Sequence, residues 1–176
     1  MATWNSRGLL EELINRSNDK YREKNLALIQ KIPTPITPIK MDKEHNHITL
    51  AYFDKKSTVD YIGIVQGIPV CFDAKECTTD TFPLQNIHEH QMEFMKQFEK
   101  QGGISFFIIL FSCRDEKIYV PYRHVLKFWN RMKDGGRKSF RYEELDQTYI
   151  IRSHSGMMLH YLEQIKLDLS ERSEKD

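Results

Sequence analysis

Disulfide scaffolding is the first thing this sequence cannot offer: of its 176 residues only Cys71, Cys77 and Cys113 are cysteine. Three thiols form no framework and match no zinc-module spacing, which excludes a stapled mini-fold and favours a reduced, cytoplasmic interior. Long apolar runs are also missing. The longest, around residues 104–111, falls far short of the ~20 residues that cross a bilayer, so no membrane partner is expected. The opening Met1-Ala-Thr-Trp-Asn-Ser-Arg7 has no signal-peptide character. Excess charge is lacking too, since 26 Lys and Arg against 25 Asp and Glu leave a net charge of +1. The chain is no polycation, and any grip on nucleic acid must come from local clusters. Neither a Walker A loop nor a dinucleotide fingerprint is present.

What is present suits one globular domain over residues 1–176, with 40% hydrophobic and 29% charged residues and no internal repeat. Its centre is the stretch 58–75. Two short runs of β-type composition, 58–65 and 68–77, flank Gln66-Gly67, a hairpin signal because glycine accepts a positive φ without steric cost. Alternation puts Thr58 and Asp60 on one face of the first strand, and Cys71, Asp73 and Lys75 on one face of the second. Val70, Phe72 and Ala74 point the other way, as a buried face would. Two carboxylates, a hydroxyl and an ammonium thus converge on rigid elements. Hard divalent cations prefer such oxygen ligands, and a nearby lysine can meet charge developing on a phosphate. On spacing alone, a solvated strand face with a surface ion pair is the competing reading.

The surrounding words narrow the choice. Asp60-x(12)-Asp73-Ala-Lys75 resembles the signature of the PD-(D/E)xK nucleases. Lys31-Ile-Pro-Thr-Pro-Ile36, Ala51-Tyr-Phe53, Ser57-Thr-Val-Asp-Tyr-Ile-Gly63, Phe72-Asp-Ala-Lys-Glu76, Phe82-Pro-Leu84, Asn86-Ile-His-Glu-His-Gln91, Gly102-Gly-Ile104 and Gly136-Arg-Lys-Ser139 resemble, in order and over most of the chain, the RecU family of bacterial Holliday-junction resolvases. Asp73 stands where that family usually has Glu, one methylene longer.

The resemblance implies an α/β, restriction-endonuclease-like mixed sheet flanked by helices, with a projecting stalk. It implies a metal-dependent endonuclease that resolves four-way DNA junctions and leaves 5′-phosphate ends. Thr58, Asp60, Asp73 and Gln91 would hold Mg²⁺, with Mn²⁺ able to substitute, and Lys75 would stabilise the transition state. The superfamily also places a catalytic Glu on the first helix; counting back from Asn15 selects Glu11, and counting forward from Gly8 selects Glu12. Implied partners are branched DNA, a second copy in a C₂ homodimer, a RecA-type recombinase and a branch-migration motor. A non-cleaving modulator of such a recombinase is the alternative, against which the intact Asp60, Asp73 and Lys75 argue.

Along the chain, Asn5 or Ser6 is placed to cap a helix carrying Leu9, Leu10, Leu13 and Ile14. Residues 25–32 read as a strand. Pro33, Pro35 and Pro38 then forbid a central strand and predict an extended arm over about 33–55, with strand character returning at Ile48–Phe53. Lys31, Lys40, Lys43, Lys55 and Lys56 along it suit phosphate contact, with an ordinary solvated loop as the equal alternative. Residues 78–83 read as a turn, and Asn86 as the cap of a helix to about Gln101, with Ile87, Gln91, Phe94, Met95 and Phe98 on its inner stripe. His88 and His90 read as surface imidazoles, the alternative being that one of them acts on water or phosphate. The continuous run Ile104–Phe111 predicts a central strand buried on both faces, with Ile118–Pro121 as its antiparallel partner. Val125, Leu126, Phe128, Trp129 and Met132 mark a helix decorated by Arg123, Lys127, Arg131 and Lys133. In the loop Gly135–Ser139 the adjacent cations Arg137 and Lys138 are read as a DNA-backbone contact on the strength of the family's Gly-Arg-Lys-Ser match, a neutral turn being the alternative. A strand near Tyr149–Arg152, a helix from Gly156 to about Leu169 and a frayed tail over 170–176 complete the reading.

Overall fold

The computed structural model describes residues 8–53, 58–154 and 156–173. Thirteen elements follow in order: α1 (Leu9–Glu23), β1 (Ala27–Lys31), β2 (Ile36–Asp42), β3 (His47–Phe53), β4 (Tyr61–Val65), β5 (Ile68–Cys77), β6 (Thr81–Pro83), α2 (Glu89–Lys100), β7 (Ile104–Phe111), β8 (Glu116–Pro121), α3 (Tyr122–Lys133), β9 (Ser139–Arg141) and α4 (Leu162–Ser173). The main sheet has the order β1-β4-β5-β7-β8. Only the β5–β7 pair is parallel, while β1–β4, β4–β5 and β7–β8 are antiparallel. The expected mixed sheet flanked by helices is the architecture found.

The β4–β5 hairpin forms as its turn residues dictate. Gln66 (φ 48°) and Gly67 (φ 85°) both take the left-handed region, the signature of a type I′ turn that matches strand twist. Gln66 offsets its strain by donating from Nε2 to the carbonyls of Asn25 and Leu26, each at 3.0 Å. Gly63 answers to close approach: a Cβ there would sit 2.2 Å from the Leu28 carbonyl oxygen on β1, so only glycine lets these two strands pair.

One face of the sheet carries a row of rings. Tyr61 stacks on Phe72 at 4.7 Å, Phe72 on Phe106 at 4.7 Å, and Phe106 on Tyr119 at 4.3 Å. Tyr21 of α1 and Tyr161 close over this face. The opposite face holds Cys71 and Ser105, whose hydroxyl donates to the Met95 carbonyl of α2 at 3.2 Å. From Val70 to Asp73 every residue of β5 is buried. The expectation of one buried face is therefore corrected. A strand paired on both edges between helical layers has no solvent side, and it carries Asp73 into the interior.

The proline-interrupted arm is a separate antiparallel ribbon of β2 and β3. Ile36, Ile39, Met41, Ile48, Leu50, Tyr52 and Phe53 are all exposed on it. Residues 54–57, with Lys55 and Lys56, lie outside the described residues, as do the cap candidates Asn5 and Ser6.

Four local expectations are corrected. The segment 149–152 is no strand: Tyr149 ends a 3₁₀ turn, and beyond it only an isolated bridge between Ile150 and Ile118 and an Ile151 N–H to Lys117 carbonyl bond at 2.8 Å join it to β8 among the described residues. The last helix starts at Leu162 rather than Gly156. A bridge between His154 and Met157 occupies the preceding turn, and Tyr161 N–H donates to the Tyr21 hydroxyl at 3.1 Å. That helix continues to Ser173 instead of fraying at 170, since Arg172 pairs with Asp168 at 2.8 Å and Glu99 at 2.9 Å. Finally, Thr81–Pro83 is strand β6, paired with β9 at the end of the Gly-Arg-Lys-Ser loop. Among the described residues no helix is long and apolar enough to cross a membrane.

Candidate active site

The hairpin ladder ends with Tyr61 opposite Phe72, and side chains replace it one step further on. Asp60 N–H donates to Asp73 Oδ1 at 3.1 Å, and Ala74 N–H donates to Asp60 Oδ2 at 2.9 Å. Each carboxylate thus satisfies the other strand's backbone where β4 peels away, which fixes the two acids relative to each other. Asp73 is fully buried. Lys75 Nζ lies 2.5 Å from Asp73 Oδ2, yet outside hydrogen-bonding angles, so Oδ2 remains a buried acceptor with no aligned donor. The contact neutralises charge without satisfying the oxygen, and such an orphan is costly unless something else engages it.

Burial, and then the negative charge of Asp73, raise the Asp60 carboxyl to about 6, against the pull of Ala74 N–H and Lys75. In the unfolded chain Asp titrates near ~3.9. The folded protein therefore holds an extra proton between those values, and this group's contribution to stability falls as pH rises through that window. Asp60→Asn keeps an oxygen for Ala74 N–H and removes the charge. In EDTA it is expected to melt above the wild type at pH 7.5, with the gap shrinking towards zero as pH drops through about 6 to about 4. A gap independent of pH in thermal melts would refute the assignment of this titration to Asp60.

The other candidates distribute unevenly. Thr58 is half-buried two residues before Asp60, and among the described residues no hydrogen bond joins its side chain to either Asp. Gln91 is buried in the first turn of α2. Its Oε1 accepts from His88 N–H at 3.1 Å in a capping box, and Lys75 Nζ lies 3.5 Å from the same oxygen. This corrects the cap from Asn86 to His88, because Leu84–Asn86 is a separate 3₁₀ turn. His88 and His90 stack at 5.4 Å.

Beside Lys75 opens a cleft of about 860 Å³ lined by Glu11, Glu76, Thr79, Asn86 and His88 among others. Asp60 and Asp73 do not line it; Lys75 joins them to it. The helix phase separates the two glutamates that counting left open. Glu11 faces the cleft, whereas Glu12 is ion-paired to Arg16 at 2.5 Å on the outer surface. Glu11 pairs with Lys31, so Lys31 ends β1 beside the site instead of standing free along the arm. Glu76 was not singled out from the sequence. It accepts from Leu10 N–H at 3.3 Å, supplying α1 with the cap that Gly8 cannot.

Arg137 and Lys138 sit on a loop tied to the cleft rim, where Leu84 N–H donates to the Lys138 carbonyl at 3.0 Å. Arg137 is ion-paired to Glu144, which also holds Arg131 at 2.7 Å. Lys40 is exposed on β2.

Among the described residues no three or more His, Cys, Asp or Glu gather as a metal site. Two carboxylates with an unsatisfied buried oxygen nevertheless fit a hard divalent cation. Its remaining ligands would be neutral oxygens, water or phosphate.

Comparison with known proteins places this geometry in context. The chain is 42% identical over 150 residues to a protein of Bacillus cereus strain B4264 named Holliday junction resolvase RecU, covering 82% of this chain and 75% of that protein. It is 43% identical over 148 residues to the protein of the same name from Bacillus thuringiensis strain Al Hakam, covering 81% and 74%. A solved structure of Archaeoglobus fulgidus Hjc, described as a Holliday junction resolvase, aligns at a TM-score of 0.40 with 8% identity, over 64% of this chain and 77% of that one. The family model described as Recombination protein U matches residues 6–167, and the chain belongs to that RecU family.

Proposed function

We propose that this protein is an endonuclease that resolves four-way DNA junctions, working in the cytoplasm as a C₂ homodimer and dependent on Mg²⁺, with Mn²⁺ able to substitute. The observation that carries the reading is the interlocked Asp60–Asp73 pair with Lys75 against it, in a chain whose relatives are named Holliday junction resolvases. Asp60 and Asp73 would hold the ion, joined by the Thr58 hydroxyl. The family pattern adds Gln91. When bound, such an ion neutralises phosphate charge and eases deprotonation of the attacking water. Lys75 meets the charge that grows on the scissile phosphate, leaving a 5′-phosphate on one product. Glu11 stands on the cleft wall as a further catalytic carboxylate, balanced by Lys31. Arg137, Lys138, Lys40 and Lys56 supply backbone contacts, and Lys31 joins them only by exchanging its partner Glu11.

A junction has two-fold symmetry and two strands to be cut, which a symmetric dimer matches. The apolar side chains exposed on the arm give a second copy a surface to cover. Four-way junction and sequence-matched linear duplex, each with and without Mg²⁺, test the whole reading on one gel. Paired, ligatable nicks are expected only in the junction with metal. Equal cutting of duplex, or cutting in EDTA, would overturn it.

The arm carries a prediction of its own. Because, among the described residues, β2 and β3 pair only with each other, replacing residues 36–53 by a short Gly-Ser linker should leave the main sheet folded. The ratio of junction to duplex affinity should then fall towards one. Undiminished selectivity in the folded variant would reduce the arm to an ordinary loop.

A further inference from the structure

Three neighbouring strands each send one side chain to the first half of α1. Lys31 ends β1 and pairs with the Glu11 carboxylate. Tyr61, directly opposite Lys31 on β4, donates its hydroxyl to Asn15 Oδ1 at 3.0 Å, with the Glu11 carbonyl 3.5 Å away. Glu76 on β5 accepts from Leu10 N–H at 3.3 Å, where Gly8 gives the helix no side-chain cap. Leu10 immediately precedes Glu11, and Asn15 stands one turn after it on the same side of the helix. The two fixed points bracket Glu11.

Their partners follow the proposed catalytic residues along the chain: Tyr61 comes directly after Asp60, and Glu76 directly after Lys75. Alternation turns Glu76 to the side of the sheet opposite Lys75, the side on which Phe72 stacks with Tyr61 at 4.7 Å. Tyr61 is fully buried, so its hydroxyl is a rigid reference for anything bonded to it. An uncapped first turn, by contrast, leaves its N–H groups to fray. We propose that Tyr61 and Glu76 are positioning residues for Glu11, pinning α1 on either side of it so that its carboxylate stays in the cleft that Lys75 also lines. The inference rests on the proposed catalytic role of Glu11. It makes the hairpin that fixes Asp60, Asp73 and Lys75 the template for α1 as well.

Single-turnover cutting of a four-way junction by the full chain, at a temperature where thermal melts show each variant folded, tests the assignment. Glu11→Ala is expected to slow cutting by on the order of 10²-fold. Tyr61→Phe keeps the stacked ring and loses only the hydroxyl, and Glu76→Ala loses the cap; each should slow cutting by about tenfold, since small misplacements of a catalytic group are costly. Glu76→Gln still offers an oxygen to Leu10 N–H and should stay within about threefold of wild type. In the Glu11→Ala background, Tyr61→Phe and Glu76→Ala should each add less than about twofold, because a residue acting through Glu11 has nothing left to place. Should Glu76→Ala not fold, Tyr61→Phe carries the same expectations. Losses that multiply in the double variants would make both residues merely structural and overturn the inference. A Glu76→Gln as slow as Glu76→Ala would overturn it for Glu76, whose charge would then act in the chemistry directly. Wild-type cutting by Glu11→Ala removes Glu11 from catalysis and this inference with it, whereas a wild type that cuts no junction overturns the reading of the whole site.

Discussion

Asp73→Ala is expected to lower the single-turnover rate of junction cutting by on the order of 10³-fold or more while leaving junction affinity in Ca²⁺ almost unchanged. The separation follows from where the residue sits. Asp73 is fully buried on the central strand, so it has no surface with which to touch DNA. It carries a fully buried carboxylate oxygen left without an aligned hydrogen bond, an atom placed to take a cation. Affinity for DNA comes from many phosphate contacts elsewhere and is insensitive to one interior acid. Asp60→Ala should behave alike, because the two carboxylates hold each other's strand. Asp73→Asn, which preserves an acceptor for Asp60 N–H, guards against a trivial folding defect. Mg²⁺-dependent cutting retained in both alanine variants would remove the pair from catalysis.

The parts of this arrangement that could be read from the sequence are those set by local rules. Gln66-Gly67 between alternating runs specified the hairpin, and parity put Asp73 and Lys75 on one face. Ile104–Phe111 announced a strand covered on both sides, and three prolines kept residues 33–38 out of the main sheet. What stayed hidden depends on residues far apart in the chain. Arg123 reads as surface decoration of α3, yet it pairs with Asp168 and Glu171 from α4. Asp168 is fully buried and also accepts from Tyr119 at 2.6 Å. No periodicity marks such a network, because its partners lie 45 or more positions apart. The three-residue strands β6 and β9 are too short for alternation to register. Glu11 and Glu12 are adjacent, and only the docking of α1 against the sheet decides which one faces the cleft. The capping box His88-x-x-Gln91 had a sequence signal in its glutamine, weakened because histidine is an uncommon N-cap.

Lys75→Ala is expected to slow cutting by on the order of 10²-fold or more, the scale found on removing one preorganised donor from a developing oxyanion. Junction affinity should barely move, because an ammonium that matters most in the transition state adds little to ground-state binding. The structure sharpens the alternative. Lys75 and Asp73 form a largely buried ion pair, with the lysine side chain 18% exposed and the aspartate fully enclosed. If that pair served stability alone, truncating the lysine would strand a buried carboxylate and lower the melting temperature. Cutting per folded molecule would then stay near wild type. The catalytic role predicts the reverse weighting: a large loss in rate that persists at temperatures where the variant is fully folded. Lys75→Arg decides further. It keeps the charge next to Asp73 and so should restore much of the stability, but a planar guanidinium cannot place a compact charge at the same point and should restore little of the rate. Melting temperature, Ca²⁺-supported junction affinity and single-turnover rate, measured on one preparation of each variant, separate the two roles. An arginine variant that recovers rate and stability together would make Lys75 a structural counter-ion.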